Sequence, residues 1–288
     1  MSLSRYVFRT ALAASVAGGL VLPRPLAAQT AGAPPAAGQA QPPAQSPYEP
    51  KVGQAGKDVV WVPSPESTVE KMLDVAKVTA QDFVVDLGSG DGRNVIAAAK
   101  RGARALGVEY NPDMVELSKR NAQKAGVGDR ATFVQGDMYA AEFSQATVLA
   151  LFLLPDNLMK LRSKFADLKP GTRIVANTFG IEGWTADEST TIEGDCTSWC
   201  TVLLYYVPAK VDGAWATPRG PLTLKQEFQT ISGTLGSSPI ENTKIKGDHL
   251  SFTVAGAEYA GRVNGNTITG TVKAGGTATA WTATRAAK

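Results

Sequence analysis

The chain predicts an α/β domain followed by a small all-β module. Three observations carry this. From Ser64 to Phe179, apolar runs alternate strictly with amphipathic segments. One of those runs, VVDL, passes directly into a turn containing Gly88, Gly90 and Gly92. Beyond Val211 the helical period is lost, and short runs with roughly period-two spacing replace it. Strand–helix alternation with short connections builds a parallel sheet covered by helices on both faces. Regularly spaced short strands between turn residues build antiparallel β-structure. A length of 288 residues suggests two domains, and 43% hydrophobic residues suffice for a sizeable core.

Each element has a local reason. Ser64-Pro65-Glu66 opens a helix: serine to cap free N–H groups, proline for the first position, glutamate for the dipole. Val69, Met72, Leu73 and Ala76 follow at helical spacing. Phe83 to Leu87 is the first strand, and Val95, Ile96 and Ala99 give the next helix its buried stripe. Ala103 to Val108 is a second strand ending at Glu109; Asn111-Pro112 then caps and starts a helix running to about Ala125. Ala131 to Gln135 is a third strand, followed by Gly136-Asp137. Thr147 to Leu154 is continuously apolar, as a central strand buried on both faces should be. Pro155 starts a helix with Leu158, Leu161, Phe165 and Leu168 on one face, and Lys169-Pro170-Gly171 stops it. Arg173 to Phe179 is a fifth strand, and Thr190–Glu193 with Thr201–Val207 can form a hairpin. In the remainder, Leu222, Leu224, Phe228, Ile231, Leu250, Phe252, Val254, Ile268 and Val272 sit in short strands. Gly247-Asp248, Asn264-Gly265 and Gly275-Gly276 supply the turns between them.

The N-terminus reads as a secretory signal over residues 1–28: Arg5 and Arg9 as the basic region, Thr10 to Leu22 as a short apolar stretch, Leu26-Ala27-Ala28 before the cleavage point. A disordered Ala-rich tail or an uncleaved anchor is the alternative. The apolar stretch is too short to span a bilayer, so no stable span is expected once the signal is removed. Residues 29–50, rich in Pro, Ala, Gln and Gly, read as an unpacked linker. The expected domains are then 51–210 and 211–288. Export to the periplasm follows if the signal reading holds, and a cytoplasmic location if it does not. Setting aside Arg5, Arg9 and Arg24 leaves 26 basic against 26 acidic residues, so the overall charge of +3 does not argue for a nucleic-acid partner. Cys196 and Cys200 with a single histidine cannot make an ordinary four-ligand zinc site, and no metal is expected. In an exported protein they read as a local disulfide; two free thiols are the alternative.

The chemistry lies at the strand ends. Asp86 precedes the loop Gly88-Ser89-Gly90-Asp91-Gly92, Glu109 and Tyr110 follow the second strand, and Asp137 and Met138 follow the third. Glycines there let a ligand lie against bare backbone at the carboxyl edge of the sheet. A dinucleotide fingerprint would place glycine at Arg93, and the negative charges of Asp86 and Asp91 suit a pyrophosphate badly. They suit a ligand carrying an amine and a sulfonium, which is S-adenosylmethionine. Glu109 can accept from both ribose hydroxyls and Asp137 from the adenine amino group, with Met138 near the ring.

The ordered motifs DLGSGDGR, GVEYNPDMVELSKRNA, GDM and LKPGTRIV resemble those of class I S-adenosylmethionine-dependent methyltransferases over roughly Lys57 to Val207. WVPSPESTVEKML and LFLLP further resemble prokaryotic relatives of the lysine methyltransferases that modify the c subunit of ATP synthase. The resemblance implies a Rossmann-like seven-stranded sheet, mostly parallel with a C-terminal hairpin, and methyl transfer to an amine of a protein or small molecule. Leu153-Leu154-Pro155 replaces the Asn-Pro-Pro-Tyr type of sequence, which argues against DNA or release-factor glutamine as acceptor. Trp61, Pro65, Glu66, Leu154, Pro155 and Asn177 are candidates for the acceptor pocket, with Trp61 equally suited to the core. No catalytic base is identified; His249 reads as a hairpin-edge residue of the β module. The competing readings are an exported, non-catalytic protein that uses the same fold to bind, and a nucleotide-dependent oxidoreductase. Neither the acceptor nor the oligomeric state is specified by the sequence.

Overall fold

The computed structural model describes residues 48–194 and 196–286. The expected signal segment, and the linker up to residue 47, lie outside the described residues. The first part of the chain runs α1 (Glu66–Val75), β1 (Phe83–Leu87), α2 (Arg93–Lys100), β2 (Arg104–Glu109), α3 (Pro112–Lys124), β3 (Ala131–Gln135), β4 (Val148–Leu151), α4 (Pro155–Ala166), β5 (Arg173–Asn177), β6 (Glu188–Thr191) and β7 (Thr201–Tyr206). The strands form one seven-stranded sheet in the order β3-β2-β1-β4-β5-β7-β6. The first five are parallel. β7 runs antiparallel to both β5 and β6. The Rossmann-like sheet with its terminal hairpin is therefore present. Strand order reverses between β1 and β4, and such a switch point opens a crevice at the carboxyl edge of the sheet.

The pleat divides the core in two. Along β1 and β4, Val84, Val148 and Ala150 face α1, α2 and α3, where Met72, Leu73, Val95 and Ala98 meet them. Val85, Leu87, Leu149 and Leu151 point the other way, onto Leu158, Leu161 and Phe165 of α4. Both faces being covered explains why these strands read as unbroken apolar runs. The sheet's lower rim is tied by Asp82, which pairs with Arg173 and accepts from the Thr79 N–H and the Thr147 hydroxyl.

Three local expectations differ from the structure. Ser64 does not cap α1: Pro65 is the N-cap, and the Ser64 hydroxyl instead accepts from Asn177 Nδ2 at 3.1 Å. β4 ends at Leu151, three residues before the apolar run does, because Leu154 is the extended residue that leads Pro155 into α4. β5 ends at Asn177, because Thr178 turns to φ 63°.

The second part contains β8 (Gly213–Thr217), β9 (Gly220–Glu227), β10 (Thr230–Leu235), β11 (Ser238–Pro239), β12 (Glu241–Lys246), β13 (His249–Val254), β14 (Ala257–Asn264), β15 (Thr267–Ala274) and β16 (Thr277–Arg285). They form a nine-stranded antiparallel sheet in the order β11-β10-β9-β8-β16-β15-β14-β13-β12. Its far ends meet, since Ile240 N donates to Gly233 O and the Thr243 hydroxyl to Ile231 O. The sheet thus curls around a core of Trp215, Phe252, Tyr259 and Trp281. It is fastened to the first part by Phe228, which stacks on Trp184 at 4.7 Å and 17°, and by Ala209 N donating to Gly247 O. No helix among the described residues is long and apolar enough to cross a membrane.

Candidate functional site

β1 delivers the chain to the crevice at Leu87, and the loop from Gly88 to Gly92 turns it into α2. Gly88, Gly90 and Gly92 all have positive φ (74°, 55° and 85°), which an L side chain would resist. At Gly90 a side chain is excluded twice over, since a Cβ there would lie 2.7 Å from the Trp61 indole nitrogen. Neighbours fix the loop. Gly88 N and Ser89 N both donate to Val108 O. The Ser118 hydroxyl donates to Gly90 O at 2.8 Å and Asn121 Nδ2 to Asp91 O at 3.0 Å, which ties the loop to α3. Asp91 is held by a two-point pair with Arg93, whose guanidinium also reaches Ser64 O.

Glu109, at the end of β2, braces the loop from the side. One carboxylate oxygen accepts from Gly90 N and the other from Asn111 N, both at 2.9 Å. Asp86 is buried beneath the loop, with Asn94 Nδ2 donating to it at 3.1 Å. Burial pushes its carboxyl up to about 8; the nearby charges of Glu109 and Asp91 push the same way, against the Asn94 hydrogen bond. Asp137, after β3, accepts from Tyr139 N and from the Lys57 ammonium, both at 2.9 Å. These two contacts hold its carboxyl below the usual carboxylate range.

The cavity in the crevice is lined by five of the residues expected at a cofactor site: Gly88, Glu109, Tyr110, Asp137 and Met138. Asp86, Ser89, Gly90, Asp91 and Gly92 shape the loop behind it and do not line it. Of the acceptor-side candidates, Trp61 lines the cavity. Leu154 and Pro155 are exposed at the start of α4, Pro65 and Glu66 stand at the start of α1, and Asn177 is fully buried in its bond to Ser64. Phe152 and Leu153 beyond β4, Met114 of α3 and, apart from Trp61, the strap from Gln54 to Val62 also form the wall and are not among the expected site residues. The strap is pinned by Gly53 N and Trp61 N, which bond across it to Trp61 O and Gln54 O. It brings Lys57 over the Tyr110 and Tyr139 rings, 5.3 and 5.6 Å from their centroids.

These residues fit S-adenosylmethionine. Gly88 leaves bare backbone under Leu153, 3.5 Å from where a Cβ would stand. The apolar walls of Val108, Met138 and Trp61 suit a flat ring, and Glu109 and Asp137 are acceptors placed one strand apart. A cavity with Asp58, Glu109 and Asp137 against Lys57 alone is acidic, which favours a cationic ligand over a pyrophosphate. Cys196 and Cys200 form a disulfide, with Cα atoms 5.8 Å apart, in the connection between β6 and β7. His249 is exposed on the second sheet, beside Asp248 and Arg262.

Sequence comparison with known proteins points the same way. The ANTKMT methyltransferase domain family matches residues 86–188. A protein-lysine N-methyltransferase of Saccharolobus islandicus (strain REY15A) is 42% identical over 152 residues, which are 52% of this chain and 94% of that protein. The lysine N-methyltransferase of the ATP synthase c subunit from Mus musculus is 38% identical over 140 residues, 48% of this chain and 56% of that protein. Among solved structures, an RNA methyltransferase from Salinibacter ruber in complex with S-adenosyl-L-homocysteine shares 43% identity, covering 52% of this chain and 96% of that one, with a TM-score of 0.49.

Proposed function

Because the chain belongs to the protein-lysine N-methyltransferase family, we propose that this S-adenosylmethionine-dependent methyltransferase acts on the side-chain amine of a lysine in a protein. The observation that carries the reading is the convergence of Gly88, Glu109 and Asp137, from three successive strand ends, on one cavity. Bound S-adenosylmethionine supplies a methyl group already activated on a sulfonium. The chain's own task is positioning. Glu109 is oriented by Gly90 N and Asn111 N and offers its remaining lone pairs to the ribose hydroxyls. Asp137, fixed by Tyr139 N, would accept from the adenine amino group. Val108, Met138 and Leu153 exclude water from the ring. With the methyl donor held, most of the acceleration comes from bringing the amine in line behind the methyl carbon. The amine must arrive neutral, and an apolar entrance favours loss of its proton. The intact set of acids favours this over the binding-only alternative.

We also propose that the protein works outside the cytoplasm. The basic and apolar segments of residues 1–28 support this, as does the Cys196–Cys200 disulfide, a bond that persists in oxidising compartments. The cofactor is made in the cytoplasm, so an exported enzyme needs it delivered. Fractionation of cells carrying a C-terminally tagged chain tests the placement; recovery with the cytosol, with both cysteines reduced, refutes it.

The activity is tested by titrating the chain from Gln29 with S-adenosylmethionine and its demethylated product, then supplying tritiated S-adenosylmethionine with an extract of the source cells. Protein label that disappears when lysines are blocked beforehand is the expected result. Label that is removed by ribonuclease would reassign the acceptor, and tight binding without any transfer would revive the binding-only reading.

A further inference from the structure

We propose that Phe152, Phe179 and Trp199 form the entrance surface for the acceptor lysine, and that the Cys196–Cys200 disulfide positions its outer ring. The proposal rests on the lysine-methyltransferase reading above and specifies how that site takes its second substrate.

The three rings come from three separate segments at the carboxyl edge of the sheet: just past β4, just past β5, and just before β7. Phe152 lines the cavity itself. Phe179 stacks on it, with centroids 6.2 Å apart and planes 9° apart. Trp199 leans against both, 5.6 Å from Phe152 and 5.5 Å from Phe179, tilted by 58° and 51°. The cluster therefore runs without a break from the cavity wall to the surface, where Trp199 is 37% exposed. Two other large side chains left in solvent, Val60 and Tyr110, line the same cavity.

The backbone gives an independent reason to regard this cluster as built for a task. Thr178 and Trp199 both adopt left-handed conformations, with φ 63° and 60°. For a β-branched threonine and a bulky tryptophan this is strained, and strain of this kind gathers at binding and catalytic sites. Thr178 N is pinned to Thr201 O at 2.7 Å, which joins the turn after β5 to the start of β7. Trp199 is pinned by the bond from Cys196 to its neighbour Cys200, leaving three residues in the closed loop. Its carbonyl also accepts from the Thr68 hydroxyl of α1.

The chemistry fits a lysine. Its four-carbon stem is apolar and packs on aromatic faces, while its ammonium is attracted to them. Moving inward along Phe152, the amine leaves water, and desolvation lowers its pKa toward the neutral form that can attack a methyl group.

The test uses the chain from Gln29 saturated with S-adenosylhomocysteine, with Nα-acetyl-lysine methylamide as the probe. Nitrogen-15 NMR follows the Trp199 indole signal, assigned by its loss in Trp199→Phe. The expected result is a shift of that signal with millimolar probe, and at least fivefold weaker binding of the uncharged norleucine counterpart. Trp199→Ala and the double variant Cys196→Ser/Cys200→Ser should each weaken the probe at least fivefold and leave S-adenosylhomocysteine affinity within twofold. An unmoved Trp199 signal, or probe affinity within twofold in both variants, overturns the proposal while leaving the methyltransferase reading intact. Failure of the unaltered protein to bind S-adenosylhomocysteine overturns that reading, and this proposal with it.

Discussion

Replacing Asp86 with asparagine should stabilise the ligand-free protein and weaken its hold on the cofactor. Asp86 is 3% exposed, and burial first, then the charges of Glu109 and Asp91, raise its pKa from 3.8 to about 8. A group raised in this way favours the fold when protonated. Its contribution is whole below the unfolded value and is lost as pH rises through the folded one. At pH 7 the unfolded chain has ionised and the folded chain has not, a difference of roughly three pH units or about 4 kcal/mol. Asparagine has nearly the same shape and no proton to lose. The stability gap between Asp86→Asn and the parent should therefore widen by about 1.4 kcal/mol per pH unit from pH 5 to 8 and level off above that. Urea melts at pH 5, 6, 7 and 8.5 measure it. A cationic ligand reverses the preference, because it draws Asp86 into its charged form. Asp86 is largely protonated at pH 7, so binding should release protons, read by calorimetry in phosphate and in Tris. Asp86→Asn should release none and bind at least tenfold more weakly. A gap that stays constant with pH, or identical heats in the two buffers, would refute the reasoning.

Two further perturbations address the walls of the site and its support. The Lys57 ammonium occupies an acceptor position of Asp137, so Lys57→Met should free it and tighten S-adenosylhomocysteine by up to about fivefold, the ceiling for an exposed ion pair. Weaker binding would instead make Lys57 a clamp on the ligand. Ending the chain after Lys210 removes Phe228 from Trp184, which is buried in the first part's core and would be laid open. Loss of that aromatic pair and its burial amounts to about 2–4 kcal/mol and should lower the melting temperature by roughly 5–10 °C. An unchanged melting temperature would show that the β module lends no support.

What was legible in the sequence is the half of the site made from backbone. A strand ending in Leu87, three glycines and a helix with Val95 and Ile96 on one face are local events. Their order along the chain suffices to put Asp86, Glu109 and Asp137 at neighbouring strand ends. What was hidden is made by partners distant in sequence. Lys57 meets Asp137 from 80 residues away, in a strap whose single bridge, Ala55 to Val60, leaves no periodic trace. Ser64 has the right neighbours for a cap, yet Asn177, 113 residues on, takes its hydroxyl. Hydropathy cannot separate Leu151, in the sheet, from Phe152, in the cavity wall, because both are apolar and adjacent. Nor does any propensity predict a left-handed threonine at 178. The division is chemical. A cofactor common to many acceptors can be held by glycine turns and strand-end acids, which leave a pattern. The acceptor entrance proposed above draws instead on side chains gathered from separate segments, Phe152, Phe179 and Trp199. That is why the methyl donor can be named from the motif, while the acceptor has to be sought at the entrance.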